Sequence, residues 1–299
     1  MATGKRKVSF QIFRSRLRVT TLIATAALVA PIMLPSARAS ESPTWNLVTE
    51  NDSYLPTSDK HYTNGLLLSW ISAPDDSWLS GFVDTVGTDK LIARHGYFLG
   101  HGIFTPSDIS TKIPDPNDRP YAGWLYGGVN LFEETDDTLN HLSVMVGLVG
   151  PAAGGEFVQN QWHKMFHWLV GGGQAAGWRY QLRNEPGLVV LERRQWRHVF
   201  GPSSEFALVP EAVAAVGNVF TYVGGGTMLE FGRHLRSDWG PPRMAPGFAG
   251  TDFLNHDALN PDEFGWYFFS GIEGRAMVRN IFLDGNSFQT SRHVDKEIL

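Results

Sequence analysis

The chain has no cysteine among its 299 residues, and beyond residue 39 it has no long apolar run. Without cysteine it forms no disulfide bonds, so its stability must come from packing or from closure of a sheet. A membrane-spanning helix needs about 20 predominantly apolar residues, which no later stretch supplies. A transmembrane β-barrel passes this test, because its signature is only alternation over roughly ten-residue segments.

The N-terminus has the pattern of a secretory signal peptide. A basic start from Lys5 to Arg18 precedes an apolar stretch from Thr21 to Leu34, and Ala37-Arg38-Ala39 matches a small-x-small cleavage site. The apolar stretch is short for a membrane anchor. We therefore expect residues 1–39 to be a cleaved signal peptide and residues 40–299 to form one exported domain.

Net charge excludes one class of partner. Seven of the 25 basic residues and none of the 30 acidic residues precede residue 40, which leaves residues 40–299 with a net charge of −12. Phosphate backbones repel such a surface, so nucleic acid is not expected as a partner. Local basic clusters can still bind a smaller anionic molecule.

Glycine (32 residues) and aromatic side chains (12%) are abundant and lie among short alternating segments. In residues 141–149, for example, every second residue from Leu142 to Leu148 is apolar, which gives a strand one apolar face. The same kind of reading predicts strands at 45–50, 66–71, 97–99, 121–132, 141–149, 188–199, 205–216, 222–231, 264–272 and 275–283. The stretch 233–262 fits no short turn.

Short strands with aromatic ends and glycine-rich turns are typical of an all-β sandwich or barrel. Export, the missing cysteine and the aromatic belts favour an antiparallel transmembrane β-barrel in the outer membrane. A soluble periplasmic sandwich is the alternative that the pattern leaves open.

Loop lengths predict which connections share one end of this barrel. Residues 133–140 and 201–204 are short polar turns, whereas the loop after Gly150 is long. Barrels have short turns on the periplasmic side and long loops outside. Counting strands from 45–50 places 51–61, 106–119 and the long loop on the same, extracellular side.

Residues 156–170 are predicted to form a helix inside the long loop, between a glycine pair at 154–155 and a glycine triplet at 171–173. Gln159, His163 and His167 recur every four residues and share one face of it. An imidazole can serve as a general base near neutral pH, although a lone histidine is more often a surface residue. The His163 and His167 spacing also resembles a zinc site, but Lys164 replaces the usual glutamate base and would repel a cation.

A second polar cluster comprises Asn51-Asp52 and Thr63. Asn-Asp after a strand is usually turn chemistry, and threonine is common in strands. The functional interpretation is a hard oxygen site for calcium with an amide donor for an oxyanion. The chain lacks both a Gly-x-Ser-x-Gly elbow and a glycine-rich phosphate loop followed by lysine.

Ordered motifs along residues 40–299 resemble one known family, the outer-membrane lipid A 3′-O-deacylases (LpxR). They are Glu50-Asn51-Asp52-Ser53, Tyr62-Thr63-Asn64-Gly65-Leu66, Phe104-Thr105-Pro106, Asp118-Arg119-Pro120-Tyr121-Ala122-Gly123, Gly147-Leu148-Val149-Gly150-Pro151, Gln159-Asn160 with His163, Gly177-Trp178, Asn184-Glu185-Pro186-Gly187 and Gly217-Asn218-Val219-Phe220-Thr221-Tyr222. Each piece is weak alone, whereas the ordered set is specific.

The resemblance implies a twelve-stranded outer-membrane barrel that acts on lipid A of lipopolysaccharide, as a monomer and with calcium. It implies that His163 activates water, with Gln159 beside it on the helix. Asn51, Asp52 and Thr63 would complete the site, with Asp52 near the calcium ion. The porin-like or binding barrel without catalysis and the outer-membrane phospholipase are the alternatives.

The chain departs from the family pattern in two places. The family places an acid soon after the histidine, whereas here the first acid after Lys164 is Glu185. The family barrel also has two strands beyond those expected here, so the resemblance implies a barrel that is incomplete at its C-terminal end and leaves strand edges unpaired.

Overall fold

The computed structural model describes residues 43–51, 61–74, 92–170, 175–241, 244, 251, 253–255 and 264–294. The predicted signal peptide and Asp52 lie outside these residues. One antiparallel sheet dominates, and its strands are β1 (Thr44–Asn51), β2 (His61–Ile71), β3 (Ile92–Thr105), β4 (Ala122–Glu134), β5 (Thr138–Val149), β6 (Glu185–Trp196), β7 (His198–Phe200), β8 (Phe206–Gly217), β9 (Phe220–Arg233) and β10 (Trp266–Asn280). Two helices accompany it, α1 (Gly155–Val170) and α2 (Ile281–Asp284).

Neighbouring strands in the sheet follow chain order from β1 to β10, except that β6 and the short β7 both pair with β8. The predicted strand at 188–199 is therefore interrupted near Arg197. The sequence predicted two strands, at 264–272 and 275–283, and this was wrong, because the structure has the single strand β10 there. Residues Glu273 to Arg275 continue to pair with Gly226 to Gly224, so glycine here marks close strand packing and not a turn.

The outer face of the sheet is apolar, and charged residues are buried on its inner face. On β5, Val144, Val146 and Leu148 are 39%, 55% and 43% exposed. On the other face, Arg193 and Glu211 are buried with 3.6 Å between the guanidinium Nε and a carboxylate oxygen. Apolar residues outside and charged residues inside are the arrangement of a membrane barrel wall. This burial pattern confirms the barrel prediction over the soluble sandwich.

The buried face is concave, because single side chains touch strands that are far apart in the sheet. Phe282 of α2 stacks on Phe104 of β3 with 3.6 Å between ring centroids, and its ring lies 5.5 Å from that of Phe220 of β9. Four strands separate β3 from β9 in the sheet order. The sheet therefore curls around α2, and the exposed apolar face is convex.

The connection between β9 and β10, which matched no sequence pattern, also packs on the concave side. Its residues Trp239 and Phe253 are buried in one cluster with Phe132 of β4. Further along, the backbone N–H of Met244 donates to Glu50 of β1 at 3.2 Å. The β9–β10 connection and α2 thus both fill the concave side.

The three loops predicted to share one end of the sheet do so, although the long β9–β10 connection lies at the opposite end, with the short turns. Register pairs place Asn51, Thr105, Val149 and Glu185 at one end, which we call the loop rim. The turns at 135–137 and 201–204 lie at the other end. Within the described ranges, β1 and β10 each pair with one strand only, and no helix is long and apolar enough to cross a membrane.

Candidate active site

Helix α1 lies on the convex face of β3 and β4, at the loop rim. The ring of Trp124 stacks on that of Tyr126 on the concave side, so Gly123 faces the convex side by strand alternation. A methyl group on Gly123 would come within 3.0 Å of the Gly155 nitrogen. Because neither residue has a side chain, the first turn of α1 rests directly on strand β4.

The start of α1 is fixed by the turn that precedes it. Pro151–Ala153 form one 3₁₀ turn, and Gly154 then adopts a left-handed conformation with φ 72°. Nε2 of His101, on β3, donates to the carbonyl oxygen of Ala153 at 2.8 Å. Glu156 lies in the first turn, where a carboxylate is favourable to the helix dipole. The turn and the strand together set the direction of the helix.

The polar residues of α1 point at the barrel wall. Gln159 is 2% exposed and His163 is 7% exposed, one helical turn further on. The helix prediction at 156–170 is confirmed within one residue at its start. His167 also lies in α1, but its side chain is outside what the structure describes.

Gln159 is oriented by a tryptophan from the end of the long loop. Nε1–H of Trp178 donates to Oε1 of Gln159 at 2.7 Å, and both side chains are buried. Because an indole N–H can only donate, the Gln159 atom that it contacts must be the amide oxygen. The other amide atom, Nε2, is buried and has no hydrogen-bond partner in the described structure. A buried donor in this state is costly to stability and available to a ligand.

Thr63 lies on the same side of the wall. A register shift between Tyr62 and Asn64 interrupts the pairing of β2 with β3 at this residue. Oγ1 of Thr63 is 2.6 Å from Oγ1 of Thr105, and both residues are buried. Ile103 shares the convex face of β3 with Thr105 and belongs to the buried cluster of Trp178. Thr63 and Gln159 thus each contact residues that belong to, or pack on, the convex face of β3.

The remaining predicted residues can be placed only in part. Asn51 ends β1 and pairs with Asn64 of β2, next to Thr63. Its side chain is not described, and Asp52 follows it outside the described residues. The structure thus brings Gln159, His163 and Thr63 to one side of one rim and puts the backbone of Asn51 beside that of Thr63.

The candidate metal ligands predicted from the sequence carry oxygen atoms. Among the described residues, no group of three or more His, Cys, Asp or Glu could hold a metal ion. The zinc interpretation also needs His167, whose side chain lies outside those residues. Thr63 and Thr105 supply hydroxyl oxygens, and Asn51 and Asp52 add an amide and a carboxylate in sequence. This donor set suits calcium in its chemistry.

Glu185, the first acid after His163 in the sequence, binds polar groups of other loops. The Glu185 carboxylate accepts from the backbone N–H of Ser287 at 2.8 Å, from Asn286 at 3.0 Å and from Asn218 at 3.1 Å. It anchors the segment that follows β10 to the loop rim. On the same rim, burial lowers the pKa of Arg119 to about 10, while the charge of Asp118 raises it. Arg119 therefore stays cationic at neutral pH.

Sequence reasoning missed the roles of Trp178 and Thr105. Both occur in the motifs that carried the family resemblance, but neither had a chemical reason to be singled out. The signal for Thr105 was its position at the end of a strand, opposite the start of β2. Trp178 gave no such signal, because only the folded loop brings it to Gln159.

Comparison with known proteins agrees with this fold. A family model described as "Outer membrane protein LpxR" matches residues 21–299. The solved structure of LpxR from Salmonella typhimurium is similar, with a TM-score of 0.60 and 21% identity over 80% of this chain and 74% of that one. At this identity the likeness shows the fold alone. No curated protein matches the sequence.

Proposed function

The chain belongs to the LpxR family of outer-membrane proteins, and from this premise we propose that it is an esterase that removes the 3′-acyloxyacyl group of lipid A. The observation that carries the proposal is the buried pair Gln159 and His163, enclosed between α1 and the convex face of the wall. A pair in this position is reached from the membrane and not from the barrel interior, as a lipid substrate requires.

His163 is the general base of the proposed reaction. Its imidazole takes a proton from water while the water oxygen attacks the carbonyl carbon of the ester. The tetrahedral intermediate then collapses, and the bond from this carbon to the sugar 3′ oxygen breaks. That oxygen takes the proton from the imidazolium, so the products are a fatty acid and a free hydroxyl group, and His163 returns to its neutral form.

Gln159 stabilises the negative charge that develops on the carbonyl oxygen. Its Nε2 group is the buried donor without a partner, and a donor held ready in a dry site stabilises an oxyanion more than it would in water. Trp178 is a positioning residue, because its N–H occupies Oε1 and leaves Nε2 free. This division of roles uses both ends of one amide.

Calcium is part of the proposal through Asp52, with Asn51 and Thr63 as further oxygen donors. When bound, the ion supplies positive charge near the ester oxygen. Hard oxygen ligands of this kind are those that calcium prefers.

The filled concave side argues against the porin-like alternative. Phe282 with its aromatic neighbours and the β9–β10 connection with Trp239 and Phe253 lie where a channel would run. An outer-membrane phospholipase would use the same ester chemistry, and only the substrate separates it from the proposed enzyme.

Mass spectrometry of lipid A tests the proposal. Cells expressing the protein in calcium-replete medium should lose the mass of the 3′-acyloxyacyl group, and cells expressing His163→Ala should not. Loss of a general base lowers the rate by about 10²–10⁴-fold. His198→Ala, an exposed histidine of β7, is the matched control and should behave as the wild type.

Two results would contradict the proposal. Identical spectra for cells with and without the protein would exclude activity on lipid A. Release of fatty acid from phosphatidylethanolamine vesicles, with lipid A unchanged, would identify a phospholipase instead. Chelation of calcium should abolish the activity in the wild type, and activity that persists in a chelator would remove calcium from the mechanism.

A further inference from the structure

Helix α1 exposes an apolar patch on the side that faces away from the barrel. Phe157 is 67% exposed, Met165 is 68% exposed and Val158 is 36% exposed. Val158 and Met165 are seven residues apart and Phe157 precedes Val158 by one, so the three lie on one side of the helix over two turns, around the exposed Gln161. We call these three residues the outer patch of α1.

The outer patch is the reverse of what water would favour. A surface helix of a soluble protein buries its apolar stripe and exposes its polar face. Helix α1 buries Gln159 and His163 and exposes phenylalanine and methionine. The polar side is explained by the candidate active site, but that site gives no reason for the exposed apolar side.

The outer patch continues the membrane-facing surface of the barrel wall. Leu125, two residues after Gly123 on the convex face of β4, is 37% exposed. Leu99, two residues before His101 on β3, is 57% exposed, and Leu148 on β5 is 43% exposed. Helix α1 rests on this face, so its outer patch extends the apolar surface of the wall towards the loop rim.

We propose that the outer patch inserts into the acyl-chain boundary of the outer leaflet, so that α1 is a membrane-contacting helix. Helices of this type bury their apolar face by about 5–10 Å at the boundary between headgroups and acyl chains. Lys164 is exposed beside the patch, and its long side chain can keep its charge at the headgroups. The inference rests on the outer-membrane location and not on any catalytic step.

This contact fixes the depth of the candidate active site. Gln159 and His163 lie on the opposite side of the same helix, so about 10 Å, the width of a helix with side chains, separates them from the outer patch. They would then lie at the level where acyl chains join the headgroup. Such a depth brings the site to the ester without extracting the lipid from the membrane.

Lipid quenching tests the inference directly, and the absence of cysteine makes it practical. Single-cysteine variants Phe157→Cys and Met165→Cys carry an environment-sensitive fluorophore in phosphatidylcholine vesicles with brominated acyl chains. Val146→Cys, 55% exposed on β5, is the control for lipid contact. Asn117→Cys, exposed on the β3–β4 connection, is the control for water contact.

The expected result is that brominated lipid quenches the Phe157 and Met165 labels about as strongly as the Val146 label, and the Asn117 label hardly at all. Quenching of the two helix labels at the Asn117 level, in a sample where the Val146 label is quenched, would overturn the inference. Labels shielded from both brominated lipid and aqueous iodide would also overturn it, because the patch would then contact a second copy of the chain. Neither readout depends on esterase activity.

Discussion

On the concave side of β3, Phe98 and Phe104 pack against the rings of Tyr126 and Phe282. On its convex side, Ile103 and Thr105 contact the loop that follows α1 and the start of β2. The concave residues belong to a thick layer of aromatic rings shared by several strands. The convex residues are covered by one helix and one loop. A single strand thus supports the core with one face and the candidate active site with the other.

Stability and activity should therefore respond to different faces of the same wall. A side chain in the aromatic layer has many neighbours that lose contact when it is removed. On the convex face, Gln159 of α1 instead has a buried Nε2 donor without a hydrogen-bond partner among the described residues. Substitutions on the two faces are therefore expected to have separable effects.

The largest effect is expected on the concave face from Phe282→Ala. Phe282 is fully buried and contacts Phe104, Trp124 and Phe220, so its removal leaves a cavity among rings. The free energy of unfolding should fall by about 3–5 kcal/mol, measured by denaturant titration in lipid vesicles. Phe288→Ala removes a ring that is 73% exposed on the same segment and should change stability little. An equal loss in both variants would contradict the role of the aromatic layer.

The next effect is expected on the convex face from Gln159→Met. Methionine keeps the length of the side chain and removes the Nε2 donor. The value of kcat should fall about 100-fold with KM nearly unchanged, because an oxyanion donor acts only in the transition state. Gln161→Met, the same change at an exposed position of α1, is the control. A rise in KM without a fall in kcat would assign Gln159 to substrate binding instead.

A smaller effect is expected from Trp178→Phe, which keeps a large ring and removes the N–H that orients Gln159. Losing one hydrogen bond of about 1.4 kcal/mol corresponds to a roughly tenfold lower kcat. If Trp178 acts only through Gln159, adding Trp178→Phe to Gln159→Met should cause no further loss in kcat. A fully additive double variant would show that Trp178 acts independently of Gln159.

The smallest effect is expected at the outer patch, from the double variant Phe157→Ser and Met165→Ser. Weaker membrane contact should lower activity on lipid A in vesicles by roughly threefold to tenfold, while activity on lipid A in detergent micelles stays unchanged. Ile113→Ser with Phe288→Ser removes two apolar side chains of similar exposure, 68% and 73%, and is the matched control. Equal losses in vesicles and micelles would point to a misplaced helix and not to lost membrane contact.

Much of the wall could be predicted from the sequence, because each strand carries its own pattern. The alternation from Leu142 to Leu148 identified β5 and the residues that share one of its faces, and the glycines around 156–170 marked the ends of α1. Counting strands then predicted which loops lie at the same end of the sheet. The count survived the error at β10, because that strand comes after all the loops that carry the site.

The contacts of the site could not be predicted, because they depend on register and on loop packing. The bulge at Thr63 decides which face that residue joins, and no residue type announces it. The hydrogen bond from Trp178 to Gln159 depends on the path of the loop between them. The sequence shows Glu185 only as the first acid after Lys164, whereas in the structure the segment after β10 donates hydrogen bonds to its carboxylate.

The contact between Gly123 and Gly155 fixes the first turn of helix α1 against strand β4, so a tilt of the helix moves its later turns most. The two backbones touch at the first turn, and His163 lies eight residues further along, which is roughly 12 Å for a helix. A tilt of about 10° at the glycine contact would move His163 by roughly 2 Å over that length. Any side chain larger than hydrogen at position 123 would shift the fixed end itself. The distance between His163 and the barrel wall is therefore set by the glycine contact at the first turn of α1.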